Sequence, residues 1–343
     1  MLINQDLQLG ELQMNSKRQG VLSIFLSRVL YFGVGVSYIL AYGNNFTIIN
    51  FLIGSILGFV LLLLMLKGDW NYFFKSLLGR IIILCMAFFL INNCLVAFAV
   101  LGSNFYLINT PPLLIIVPLS ILILYGVKKG FATTLRLSDI LIFISVITGI
   151  IAILSIQKNI DFNNYLPMEI LDKSDTLKCI LSSAFYSVSP IILELSFLKS
   201  DEVNKKAIIM GYLIGSFTIF LMILCIIGIF GGNFALLFRY PEYILLKKVN
   251  LFNQFEHLET FLSILWFNDL LITSLIAGLL INKVFNGKWL YIVSILHLCF
   301  VYIFFINNYQ HILLLYHYTF YILGMLTILG CIGSIINCKF LKR

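Results

Sequence analysis

Long apolar windows recur along the whole chain, and they leave few folds open. Ten stretches, roughly 21–41, 46–66, 81–102, 111–127, 138–156, 179–198, 207–230, 258–281, 289–306 and 311–337, are mostly apolar and bounded by charges or turn residues. Each is near the length a helix needs to cross about 30 Å of hydrocarbon. Hydrophobic residues make up 61% of the 343, and charged residues only 11%, far more apolar surface than a soluble domain needs to bury. An all-α polytopic membrane protein of about ten transmembrane helices is therefore expected. A helix closes its own backbone hydrogen bonds, which lipid cannot do for it.

The charge pattern gives an orientation. With the N-terminus cytoplasmic, sixteen Lys and Arg fall in inside segments and six in outside loops. The six lie in the two longest connections, 157–178 and 231–257. Positive charge collects on the cytoplasmic side, so both termini are expected there, in agreement with an even span count. The net charge of +8 is explained by these loops, and no basic run on a soluble region points to nucleic acid. Residues 1–20 are polar, end in Lys17-Arg18 and precede an apolar run without a small-x-small cleavage site. That predicts a retained first helix. The seven cysteines are dispersed without CxxC spacing and read as small hydrophobes, so no metal or disulfide framework is expected.

Two spans interrupt themselves. The first contains Gly33-Val34-Gly35-Val36-Ser37, where two glycines and a serine weaken the helix and allow close backbone approach. The sixth contains Tyr186-Ser187-Val188-Ser189-Pro190, and Pro190 cannot donate a backbone hydrogen bond. Spans 1 and 6 open two sets of five, and an odd number of spans per set makes the second set enter from the opposite side. Interrupted helices at matching positions of inverted halves point to a transporter-type binding site. The organisation expected is a segment 1–20, a first repeat 21–156, an external loop 157–178, a second repeat 179–337 with an external loop 231–257, and a tail 338–343. Part of 231–257 has helical periodicity after Pro241 and suits a lid over an external vestibule. Gly54-xxx-Gly58 and Gly211-xxx-Gly215 lie in the second helix of each half and suit intramolecular packing.

Three charged side chains look deep. Arg28 lies about 10 Å from the cytoplasmic edge of span 1, and Glu194 about 6 to 8 Å from the same face in span 6. Their matching depths predict an Arg28–Glu194 ion pair, which offsets part of the cost of burial. Asp269 sits near the middle of span 8 with Thr273 one turn on, where an acid can bind a ligand ammonium, carry a proton or cap a neighbouring helix. Asn92-Asn93 near the middle of span 3 need partners, from a neighbouring helix or a ligand. His297 and His317 read as packing residues. No metalloprotease motif, nucleophile elbow or phosphate loop appears, so no enzyme activity or cofactor is expected.

One set of segments stands out: Tyr240-Pro241, Leu246-Lys247-Lys248, Phe255-Glu256-His257-Leu258-Glu259 and Trp266, with Gly130 through Arg136-Leu137-Ser138-Asp139 and Tyr165-Leu166-Pro167 before them. Together they resemble the spore-germination permease family, the B subunits of nutrient germinant receptors in the amino acid–polyamine–organocation superfamily. His257 stands where that family carries an arginine. The resemblance implies two inverted five-helix repeats of the LeuT or amino-acid-permease type, with spans 1 and 6 broken and a binding site between spans 1, 3, 6 and 8. It implies a sensor of a small nutrient such as an amino acid, working with A-type and C-type receptor subunits in the inner membrane of the spore. Gly33, Val34 and Gly35 would present helix-end amides to a ligand carboxylate. Ser37, Asn92, Asn93, Tyr186, Ser187, Ser189, Asp269 and Thr273 complete the expected ligand-binding set. The alternative on the same fold is a proton- or sodium-coupled amino-acid transporter.

Overall fold

The structure is a computed structural model that describes residues 16–32, 35–107, 110–168, 172–238, 240–247, 263–285 and 309–341, with single positions 287, 294, 299 and 301. Among the described residues every regular element is helical. In chain order the helices are α1 Ser16–Arg28, α2 Gly35–Gly43, α3 Thr47–Met65, α4 Trp70–Lys75, α5 Leu77–Leu101, α6 Pro112–Lys129 and α7 Phe131–Ile156. They continue as α8 Lys173–Val188, α9 Ile191–Leu195, α10 Lys205–Phe230, α11 Gly232–Ala235, α12 Pro241–Lys247, α13 Ile264–Phe285 and α14 Tyr309–Leu341.

Eight helical stretches among the described residues are long and apolar enough to cross a membrane. One of them, Gly35–Met65, carries α2 through the turn Asn44–Phe46 into α3, so it contains the second half of span 1 and all of span 2. α1 supplies the other half of span 1. The ninth expected span, 289–306, lies almost wholly outside the described residues, as do His297 and the His317 side chain.

Local chemistry sets the ends. Asp69, Ser76 and Asn204 cap α4, α5 and α10, each accepting from the backbone N–H three residues on, at 2.9, 3.0 and 3.1 Å. Gly130 and Gly231, at φ of 87° and 70°, end α6 and α10. α1 begins five residues before the expected edge at 21, because Ser16-Lys17-Arg18 continues the helix into its polar flank. α8 likewise starts at Lys173 rather than 179, and α13 begins at Ile264 rather than 258.

The two halves pack alike. α1 lies along α10, and its counterpart α8 lies along α3. α5 packs on α14, as α13 packs on α7; α1 touches α7, as α8 touches α14. The glycine motifs make the first of these pairings possible. A Cβ at Gly54 would run into Ile180 and Ser183 of α8, one at Gly58 into Tyr212 of α10 and close on Ala184 of α8, and one at Gly211 or Gly215 into Gly20, Ser23 and Ser27 of α1. Both motifs therefore serve contacts within the chain, where small residues let helix backbones approach in lipid.

Candidate functional site

The interruptions in spans 1 and 6 face each other. After α1 the chain tightens into a 3-10 turn, Val29–Tyr31, and α2 restarts at Gly35. A side chain at Gly35 would collide with the Leu30 carbonyl, so the restart requires glycine. Gly33 and Val34 lie outside the described residues. In span 6 the turn at Ser189-Pro190 parts α8 from α9, and the Leu193 amide bonds the Pro190 carbonyl at 3.0 Å. Tyr31 Oη donates to the Ser183 carbonyl at 2.6 Å, and its ring stands edge-on to Tyr186 at 5.9 Å. The break in span 1 is thereby clamped to α8, the first half of span 6.

Arg28 ends α1 and takes a different partner from the one expected. Its Nη2 donates to Asp269 Oδ1 of α13 at 2.7 Å, and both side chains are buried. Glu194 instead accepts from Ser23 Oγ at 2.7 Å. Ser23 and Arg28 are about 7.5 Å apart along α1, so the two acids, Glu194 on α9 and Asp269 on α13, meet it at different levels. The Arg28–Glu194 pair is thus replaced by two links at two depths.

The pairing leaves hydrogen-bonding capacity unused. Asp269 Oδ2, Arg28 Nε and Thr273 Oγ1 are buried without a hydrogen-bond partner, as are the amide oxygens of Asn92 and Asn93 on α5. Asn93 Nδ2 bonds its own helix at the Phe89 carbonyl, 3.0 Å away. α13 packs against both α5 and α1, so these atoms belong to neighbouring helices. Buried polar atoms ordinarily find partners, and a group of unpaired acceptors suits a donor-bearing ligand or water.

Of the other expected site residues, Ser187 and Ser189 face neighbouring helices. Ser187 Oγ bonds the Ser183 and Ala184 carbonyls at 2.8 and 3.1 Å and lies 3.4 Å from Tyr212 Oη, facing α10. Ser189 Oγ accepts from Thr327 of α14 at 2.7 Å. Ser37 is half-buried on α2 and Tyr186 fully buried, 6.3 Å from the Tyr38 ring. Ser187 and Ser189 thus serve helix packing, because short hydroxyls in an apolar helix bond the nearest carbonyl or hydroxyl.

An aromatic group lies beside Arg28–Asp269, through Phe32 and Trp266 of the same two spans. Phe32 lies 6.1 Å from Trp266 of α13, Trp266 lies 5.9 Å from Tyr243 of α12, and Tyr243 stacks on Phe105 at 3.9 Å. Phe105 stands in a π-helical turn, Gly102–Tyr106, that ends α5. α12 is the helical part expected after Pro241, and residues 248–262 lie outside the described set. Elsewhere, Asn45 Oδ1 accepts from the Gly232 amide and Asn45 Nδ2 donates to the Pro167 carbonyl.

The sequence profile of the spore germination protein family matches residues 46–313. The chain belongs to the spore germination permease family. The segments that resembled this family have structural roles: Asp139 pairs with Arg18 at 2.9 Å, Tyr165 Oη donates to the Leu224 carbonyl at 3.1 Å, and Tyr240-Pro241 opens α12. No curated protein matches the chain. Among solved structures, a substrate-bound, outward-open Na+-coupled sialic acid symporter is similar at 11% identity and a TM-score of 0.45, covering 94% of this chain and 78% of that one.

Sequence reasoning missed Ser23, Tyr31, Phe105 and Tyr243. Nothing in one sequence assigns Ser23 to Glu194. The aromatic group had a signal, since Tyr240-Pro241 and Trp266 belonged to the resembling segments, but their contact with span 3 had none.

Proposed function

We propose that this germination permease binds a small nutrient of the amino-acid class between spans 1, 3, 6 and 8 and signals by a change of conformation, without chemistry. The observation that carries the reading is the buried Arg28–Asp269 pair at the break in span 1. An α-amino acid is a zwitterion. A guanidinium and a carboxylate that pair with each other present one partner for each end of it. The backbone amides opening α2 at Gly35 add donors for the carboxylate, and Asp269 Oδ2 with the Asn92 and Asn93 oxygens adds acceptors for the ammonium. Ligand entry exchanges one set of charge-assisted bonds for another, so a shift follows only if the ligand binds one arrangement better.

The protein sits in the inner membrane of the spore with both termini cytoplasmic, a placement supported by the excess of positive charge in the segments reckoned inside. It works there with A-type and C-type receptor subunits, a partnership supported by its family. The test is binding of single amino acids to the purified chain, read by thermal shift, for the native protein and for Asp269→Asn. A shift with one class of amino acid, lost in Asp269→Asn, is the expected result. No shift with any amino acid would overturn the reading. Uptake into proteoliposomes by the chain alone would make it a transporter instead.

A further inference from the structure

Glu194 takes no part in the nutrient reading, yet it is the more demanding carboxylate. It is fully buried in α9, on the inner side of the span 6 break. Ser23 Oγ bonds Oε2 at 2.7 Å, and Oε1 has no hydrogen-bond partner. α9 packs against α1, α13, α5 and α4, and the charged groups on those helices are engaged or exposed.

On α1, Lys17 is exposed, Arg18 is held by Asp139 and Arg28 by Asp269. On α13, Asp269 is committed to Arg28, and the Lys283 ammonium lies over the Phe74 and Phe197 rings at 5.0 and 5.3 Å. On α5, Arg80 is exposed and bonds the Lys75 carbonyl, while Cys85 and Cys94 carry thiols. On α4, Tyr72 and Lys75 are exposed. Just beyond α9, Lys199 pairs with Glu202. Among the described residues no cation stands within ion-pair distance of Glu194.

We propose that Glu194 is a proton-binding site: the resting protein holds it as the neutral carboxylic acid, and the bound proton keeps the inner ends of spans 1 and 6 together. A bare carboxylate with one hydroxyl donor is strongly disfavoured in an apolar interior, whereas the neutral acid accepts the Ser23 bond at its carbonyl oxygen and leaves one O–H on Oε1 without an acceptor, a far smaller cost than a charge. Releasing the proton to water leaves a charge that the seam cannot satisfy. Water or a solvated cation must then enter between α1 and α9, and the Ser23 link no longer suffices to hold them. Stability therefore falls as pH rises, since ionisation is penalised only in the folded seam.

The test is infrared difference spectroscopy of the full chain in lipid nanodiscs at neutral pH. Native minus Glu194→Gln is expected to show one protonated-carboxyl stretch, absent from the variant, which fades as the pH is raised. Ser23→Ala is expected to shift that band to higher frequency by removing its hydrogen bond, and this arm stands even if the glutamine variant fails to fold. Protonated-carboxyl regions that coincide in native protein and Glu194→Gln, or that are unmoved in Ser23→Ala, would overturn the proposal.

Discussion

Along α1 the polar side chains, apart from Ser27, which bonds the Ile24 carbonyl of its own helix, reach outward to other elements. Arg18 pairs with Asp139 on α7, Gln19 bonds the Glu202 carbonyl and the Asn204 amide, Ser23 bonds Glu194 on α9, and Arg28 bonds Asp269 on α13. Along α8, its counterpart in the second half, the hydroxyls turn back. Ser182, Ser183 and Ser187 each bond carbonyls three or four residues earlier in their own helix. Both helices press against glycine-lined partners. The shared packing fixes the two halves as repeats, while the difference in polar links fixes their roles. α8 is fastened by shape and backbone. α1 is fastened by exchangeable polar bonds at four levels, which a ligand or a proton can replace.

The comparison breaks first at Arg28. Arg28→Ala should cost about 3 kcal/mol in folding stability, because it strands Asp269 as an uncompensated buried charge. Thermal or denaturant unfolding in detergent checks this, and Asp269→Asn added to Arg28→Ala should recover part of the loss. The shared packing is probed next by Gly58→Leu and Gly215→Leu. Each should lower stability by about 1 to 3 kcal/mol through overpacking. A much larger loss at one of the two would contradict the equivalence of the halves.

Smaller effects separate the hydroxyls. Ser23→Ala removes a bond between helices and should cost about 1 kcal/mol. Ser187→Ala removes a bond its helix can do without and should stay within about 0.5 kcal/mol, read in the same unfolding assay. Arg18→Ala, at a half-exposed pair, should change stability by less than about 1 kcal/mol, and less still at high salt.

Much of this was legible in the chain. Pro190 marked the turn between α8 and α9, and Gly35 marked the restart of α2, because each imposes a backbone constraint that no neighbour relaxes. Gly54, Gly58, Gly211 and Gly215 announced close packing, since only small residues allow it in lipid. Arg28, Glu194 and Asp269 stood out because charge at membrane depth is rare. Their pairing did not follow. Depth reckoned from an apolar edge does not resolve one turn of helix, and Ser23, five residues before Arg28, is the residue that meets Glu194. Which way a side chain points around its axis is set by tertiary packing. Ser187 and Ser189 therefore lay on the expected helix but face α10 and α14.

Nutrient binding to purified Arg28→Gln, Asp269→Asn and the double variant, run as a cycle beside the native chain, tests the central claim most directly. The account predicts that each single change weakens binding at least tenfold and that the double loses less than the product of the two, because both charges serve one site. Independent, multiplicative losses, or binding unchanged in all three, would contradict it.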